Sequence, residues 1–284
     1  MTECIVCGGG EFKPVYNNVL LKCQACSFMT ANIELDEKSL KEAYEEYYKD
    51  GGLYFQYLEA SRAYLSDFRE KIKHILKRVQ RSEIETVLEI GCGHGFFAKA
   101  LHEELGEGLD YTGFDINKSA VDYGKANLGQ NLIHGDFAEY PMEKKYTDIF
   151  MWDVIEHLKE PGNYIEKISR QCRSGGRLYI YTPDIGAFLP RLRKGKWRKI
   201  HPPTHIHYFS QKTIGLFLKR YGFSVQDISY PTSYKNLKQG FYYTFIKANR
   251  KPSALVRFLF GLIPKGLDIP MNMFDNMLVI ARKG

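Results

Sequence analysis

The sequence has no run of about 18 apolar residues, the length a helix needs to cross a bilayer, so no membrane-spanning helix is expected in its 284 residues. Its first residues, "MTECIVCGGGEF", have neither the basic flank nor the apolar core of a secretory signal. Together these absences predict a cytoplasmic protein, with the inner face of the membrane as a second place to look. Acid is almost missing between residues 185 and 267, where sixteen Lys and Arg face Asp227 alone, although the whole chain carries only +7. Such a segment is either a solvated basic face or a positive field for phosphates, nucleotides, nucleic acid or an anionic membrane surface. No internal repeat or low-complexity tract is present. The balance of 44% hydrophobic and 26% charged residues fits one large globular domain, or one with a small appendage.

Cysteine is also scarce, and its distribution is informative. Of six cysteines, Cys92 and Cys172 stand alone, while Cys4, Cys7, Cys23 and Cys26 form two C-x2-C pairs separated by fifteen residues. Two such knuckles each supply two thiolates from a tight turn, the pattern of a tetrathiolate zinc ribbon. Two disulfides would be the other use, but a reducing compartment disfavours them. With four protein ligands no coordination position stays open, so this zinc is expected to be structural.

Behind the ribbon (residues 1–33), residues 34–83 read as a helical linker or cap. "DEKSLKEAYEEYYKDGG" (36–52) is an acidic, aromatic-bearing helix, and the stretch 54–80 keeps helical periodicity to its end. From residue 84 strand and helix patterns alternate, which predicts a parallel sheet flanked by helices. The strands are drawn at 86–91, 111–116, 131–136, 147–154 and 176–184, and then at 223–230 and 275–283. A helix at 210–222 starts at the N-cap Ser210 and stops at Gly222. Between the last two strands, a basic insertion at about 235–272 contains "SALVRFLFGLIPKG". This apolar stretch is too short to span a bilayer and suits a lid, a dimer face or an interfacial helix.

The most specific motif is "VLEIGCGHGFFAKAL" (87–101). An apolar strand carries Glu89, then Gly91, Gly93 and Gly95 make a G-x-G-x-G turn into a helix. Glycine is required where the backbone turns sharply and a ligand approaches it closely. Such a turn alone also suits a dinucleotide. Here it is followed by Asp115 in "GFDIN", 24 residues beyond Gly91 and near the interval at which an acid reaches ribose hydroxyls. "HGDF" (134–137) and "MWDVIEHL" (151–158) then fall at the next two strand ends.

With these motifs the chain resembles the class I S-adenosylmethionine-dependent methyltransferases, in the branch of the ubiquinone O-methyltransferases and saccharide-modifying enzymes. The resemblance implies a Rossmann-like, doubly wound seven-stranded sheet with the last strand antiparallel, over residues 84–284. It implies that S-adenosylmethionine lies on the turn at Gly91, Cys92, Gly93 and Gly95, with Glu89 at its amino group. Asp115 and Ile116 would meet the ribose, Asp136 the adenine amino group and Phe137 the adenine ring. Asp153 and His157 would stand near the cofactor and the substrate mouth. Enzymes that methylate exocyclic amines of bases commonly carry N/D-P-P-Y/F after the fourth strand, whereas this chain has Trp152-Asp153-Val154-Ile155. The expected reaction is therefore O-methylation of a saccharide or other anionic small metabolite, such as a nucleotide sugar or lipid-linked glycan. An RNA methyltransferase, and a non-catalytic protein that only binds the cofactor, are the other readings.

The loop "RKIHPPTHIHYFS" (198–210) follows the fifth strand, whose C-terminal end faces the crevice. Related methyltransferases read E-H-x-x-Y-F-S here, which aligns His205 with their histidine and leaves Thr204 where the acid stood. His205 and His157 are the candidate bases. A metal held by His201, His205 and His207 would need a carboxylate or thiolate that the loop itself lacks. Arg191, Arg193, Lys194, Lys196, Arg198 and Lys199 make the same rim basic, which suits a phosphate-bearing acceptor or an anionic membrane surface. Trp197 and Tyr208 are either stacking platforms or core.

Overall fold

The computed structural model describes residues 3–33, 61–242, 245, 253–264 and 266–284. The helix read at 36–52 lies outside the described residues, as does the first part of the 54–80 helix. Its remainder is α1, Ser61–Leu76, which ends four residues early in a turn that leads to a 3-10 turn at Arg81–Glu83.

The ribbon forms three short antiparallel strands, β1 (Phe12–Val15), β2 (Leu20–Cys23) and β3 (Met29–Ala31). Beyond α1 the alternating pattern becomes β4 (Thr86–Ile90), α2 (Phe96–Leu105), β5 (Asp110–Asp115), α3 (Lys118–Leu128) and β6 (Leu132–His134). It continues as β7 (Tyr146–Trp152), α4 (Pro161–Gln171) and β8 (Cys172–Pro183). Then come α5 (Phe188–Arg193), β9 (His207–Tyr208), α6 (Gln211–Lys219), β10 (Phe223–Ser229), β11 (Ser233–Asn236), α7 (Leu237–Phe241), α8 (Ala254–Leu262), β12 (Asp268–Met271) and β13 (Asn276–Lys283).

The main sheet has seven strands in the order β10-β13-β8-β7-β4-β5-β6. β13 runs antiparallel to both neighbours, while β8, β7, β4, β5 and β6 are mutually parallel. Its central strands are buried on both faces, with Val87, Leu88, Ile149, Phe150, Met151, Leu178, Tyr179 and Ile180 all sealed from solvent. This is why they read as nearly continuous apolar runs. The order reverses beside β4, so the C-terminal ends of β4 and β7 border the crevice where ligands of such sheets bind. α6 begins as expected, with Ser210 and Thr213 forming a reciprocal capping box.

Two connections tie other parts of the chain to this crevice. First, β9 is the fourth strand of the ribbon sheet, with Met29 opposite Tyr208 and Thr30 opposite His207. Phe28 also packs on Phe209 in the main core, with ring centroids 5.2 Å apart. The histidine loop is thus stitched to the ribbon. Second, β11 and β12 pair within the basic insertion, and the Tyr234 amide donates to Asp67 of α1 over 2.8 Å. None of the described residues of α8 is buried, and Leu255, Phe258 and Leu262 are exposed. Among the described residues no helix is long and apolar enough to cross a membrane.

Candidate active site

The crevice is a pair of contiguous cavities of about 270 and 290 Å³, which share Gly91, Asp115, Asp153, Val154 and Lys199 in their linings. A wider, open hollow near Gln80 and Leu109 lies away from all the motif residues.

The first cavity is built on the glycine turn. Gly91 has φ +78°, and a Cβ there would lie 2.3 Å from Val154 Cγ2, so only glycine lets the turn pass under the β7 exit. Gly93, with φ +51°, has nothing within 4 Å of a built Cβ, and its amide donates to Asp115 Oδ2 over 2.7 Å. The Asn117 amide holds the other Asp115 oxygen at 2.8 Å. Asp115 is therefore fixed at the mouth of β5 with lone pairs left for a vicinal diol. Gly95 does not line the cavity. It caps α2 with φ +77° and packs against Gln130 and Leu132. Cys92 lines the cavity from a buried position, and Glu89 lies at its floor, accepting a hydrogen bond from the Tyr111 hydroxyl.

Burial, with the Asp115 charge added, pushes the Glu89 carboxyl up to about 8, against the opposing pull of Tyr111. Burial likewise raises Asp115, against the Asn117 and Gly93 amides. Two desolvated carboxylates in one cavity suit a cationic ligand, since a positive charge favours their ionised forms. A titratable consequence follows. If Glu89 meets the ligand's ammonium group, as the resemblance implies, that group must displace a proton from Glu89 below pH 8. Affinity for S-adenosylhomocysteine should thus rise between pH 6 and pH 8, by up to about tenfold per unit, and then level off. Calorimetry across that range checks this, with Glu89→Gln expected to flatten the profile.

The second cavity continues past β6 and β7. Ile116, 59% exposed, lies on its wall with Asp136 and Phe137. Asp136 Oδ1 accepts from the Ala138 amide at 2.7 Å and the Tyr164 hydroxyl at 2.5 Å. Phe137 is buried edge-on to Phe114, with Lys167 Nζ over its ring at 4.8 Å. Asp153 lines both cavities and holds φ +50°, a backbone conformation a non-glycine residue keeps only when its surroundings enforce it. Its amide is tied to the Tyr181 carbonyl.

The far wall of the second cavity is the histidine loop and the β7 exit. His157, His201, Thr204 and His205 line it together. The His205 ring lies 3.8 Å from His201 and 4.6 Å from His157, centroid to centroid. His157 Nδ1 is 2.6 Å from the Thr204 carbonyl, which accepts its proton, and His201 Nδ1 is 2.6 Å from Thr204 Oγ1. Burial lowers all three imidazoles, His205 furthest, where the neighbouring His157 and His201 add to the effect. All three are neutral near pH 7.

The structure redistributes several residues of this loop. His207 does not join the other histidines. It is buried in β9 against the ribbon, with Nδ1 3.2 Å from Thr30 Oγ1. Trp197 and Tyr208 are core residues, bonded to Asp275 and to the His205 carbonyl. Of the basic rim, Arg191, Arg193, Lys194 and Lys196 are exposed outside the two cavities, Arg198 pairs with Asp275, and Lys199 alone reaches into them. The acid absent from position 204 comes instead from the β7 exit, where Glu156 lies beside His157 and His205. Burial and the Asp153 charge push the Glu156 carboxyl up to about 8. Sequence reading also passed over Lys235 of β11 and the Asp67–Lys71 pair of α1, which line the first cavity. That pair is buried at 2.6 Å with Lys71 over the Tyr181 ring.

In the ribbon, the four cysteines come together. Cys4 Sγ lies 3.6 Å from Cys26 Sγ, and Cys7 Sγ 3.6 Å from Cys23 Sγ, with all four sulfurs within 4.8 Å of one another. These separations exclude disulfides, whose sulfurs are about 2.05 Å apart. They match the edges of a tetrahedron with metal–sulfur bonds of about 2.3 Å, which are roughly 3.8 Å long.

Residues 49–228 match the family model of the methyltransferase domain. The chain belongs to that family. A protein of Mycolicibacterium smegmatis named "Probable S-adenosylmethionine-dependent methyltransferase" is 28% identical over 50% of this chain and 52% of its own. A ubiquinone biosynthesis O-methyltransferase of Nitrosomonas europaea is 24% identical over 34% of this chain and 43% of its own. The chain spans about half the length of the curated relatives it matches. A chain from the complex between the Haloferax volcanii Trm112 methyltransferase activator and a methyltransferase shares the fold. Its TM-score is 0.55 at 17% identity, over 81% of this chain and 95% of that one. This is a methyltransferase domain with the class I fold. Its Rossmann-like sheet with an antiparallel last strand is the architecture expected from the sequence.

Proposed function

We propose that the protein methylates a hydroxyl of a saccharide or related anionic small metabolite. The observation that carries this reading is one wall of the second cavity: three neutral imidazoles with Lys199 beside them, backed by buried Glu156, in a cavity sized for a small molecule. A hydroxyl must lose its proton as its oxygen attacks the methyl carbon and the C–S electron pair returns to sulfur. A neutral histidine is the group that can take that proton near pH 7. Glu89, the turn at Gly91 and Gly93, Asp115, Ile116, Asp136, Phe137 and Asp153 would hold S-adenosylmethionine, which supplies an electrophilic methyl group. The protein's part is to bring nucleophile, methyl and sulfur into line. Lys199 and Lys235 would draw in a phosphate or carboxylate of the acceptor. In the same reading Cys4, Cys7, Cys23 and Cys26 hold a structural zinc that fixes β3, and through it β9.

RNA methylation is the second reading, favoured by the exposed cations of α5 and the turn after it. The two separate in one experiment. The protein is incubated with methyl-labelled S-adenosylmethionine and either nucleotide sugars or total RNA at several salt concentrations. Label in the sugar fraction supports the first reading. Label in RNA, falling steeply as salt rises, would replace it with the second.

A further inference from the structure

Among the described residues, two buried polar atoms at this end of the crevice lack a hydrogen-bond partner: Glu156 Oε1 and His205 Nδ1. Their residues are 1% and 5% exposed. A buried acceptor without a donor is costly, and native proteins rarely keep one without a reason. Here the two belong to one group. Donor atoms of Glu156, His157 and His205 all lie within 4.8 Å of one another.

The remaining atoms of the group are held in place from outside. Thr182 Oγ1 donates to Glu156 Oε2 over 2.9 Å, which turns Oε1 away from it. The Thr204 carbonyl takes the His157 Nδ1 proton over 2.6 Å, so that ring's lone pair belongs to Nε2. For Glu156 and His157 these are the outer contacts that orient metal ligands, with the second atom of the side chain bound to a neighbour.

We infer that Glu156, His157 and His205 form a site for a first-row divalent cation, whose open coordination positions face the second cavity and bind oxygen atoms of the acceptor. The inference rests on the reading that this cavity takes the acceptor. One carboxylate and two imidazoles are a donor set that such cations accept with positions left open. Bonds of about 2.0–2.2 Å put neighbouring donors roughly 3–3.5 Å apart, so the group contracts modestly around the ion. Its chemistry differs from that of the ribbon. Four thiolates select zinc, whereas oxygen and imidazole donors accept manganese. The cation would present two adjacent positions to a vicinal diol, or to a hydroxyl beside a carboxylate. With it bound, His157 and His205 act as ligands and not as bases, and the coordinated hydroxyl, made more acidic by the ion, gives its proton to neutral His201 of the same wall or to solvent.

The test uses Mn²⁺ and the whole protein purified with its ribbon metal in place. Mn²⁺ is titrated with no acceptor present, and the free ion is followed by electron paramagnetic resonance. One equivalent is expected to bind, with affinity at least tenfold weaker in Glu156→Gln and in His205→Ala. Unchanged S-adenosylhomocysteine affinity in each variant shows that it is folded. A misfolded Glu156→Gln is replaced by His157→Gln, for which the same loss is expected. Absence of Mn²⁺ binding by the wild type, or binding that none of these substitutions weakens, overturns the site. If the metal fails while His205→Ala still loses turnover, the proton-accepting role of the wall survives without it. If His157→Ala and His205→Ala both keep full turnover as well, both ideas fall together.

Discussion

Replacing His157 or His205 with alanine should lower turnover by about 10²–10⁴-fold while S-adenosylhomocysteine affinity stays within about twofold. That is the range by which a positioned acid–base group accelerates a reaction. Both rings line the second cavity, and neither lines the first, where Glu89 and Gly93 lie. His157 is the better placed of the two to receive a proton. It is half-buried, and its ring is oriented by the Thr204 carbonyl, whereas His205 lies deeper and holds a proton far more weakly. Because burial lowers His157 below its ordinary value, activity should persist somewhat below pH 6.5 and fail only as that ring protonates. Single-turnover rates with the labelled acceptor decide the matter. A large loss in His157→Ala alone would leave His205 as a packing residue. Normal rates in both would mean that positioning carries the reaction.

The ribbon should matter to catalysis although it touches neither cavity. Cys7→Ser and Cys26→Ser should each reduce the zinc content from one per chain towards none. They should also raise amide exchange across residues 206–209 by at least tenfold, and cut turnover accordingly. Structural zinc supplies on the order of 10 kcal/mol to small tetrathiolate folds. Here its loss would free β3, whose partner β9 carries the His205 end of the acceptor wall. The Ala31 amide and Thr30 hydroxyl both donate to the Ile206 carbonyl, so the loop cannot stay fixed once β3 departs. Metal analysis of the reduced protein, exchange mass spectrometry and an activity assay test this together. Zinc loss with an unchanged β9 and full activity would reduce the ribbon to an appendage.

How far these arrangements were readable in the sequence depends on their range. The central strands were legible because a sheet buried on both faces demands apolar runs, and the helices between them carried their own caps, as Ser210 does. The crevice was legible because Gly91, Asp115, Asp136 and Asp153, which line it, each sit where a strand ends, at fixed intervals along the chain. Contacts across large separations were not. β9 is only two residues long, and its pairing with Thr30 bridges 177 positions from the ribbon, so no local pattern marks it. Its consequence, that His207 faces the ribbon while His205 faces the crevice, was hidden with it. Glu156 was in plain view in "VIEHL", but the segment reads as an ordinary strand exit until the loop folds back and sets His205 beside it. Lys235 was one of many cations in a basic insertion. Only the docking of β11 on α1 singles it out, and the composition of the segment overstated the part played by Arg191 through Lys196.

The account stands or falls on what the crevice binds, and calorimetric titration with S-adenosylhomocysteine measures this most directly. The predicted result is one site per chain, weakened by about 1.5–3 kcal/mol in Asp115→Ala, the range for a hydrogen bond to a charged group. No heat of binding, or tight binding of a nicotinamide dinucleotide in its place, would contradict it.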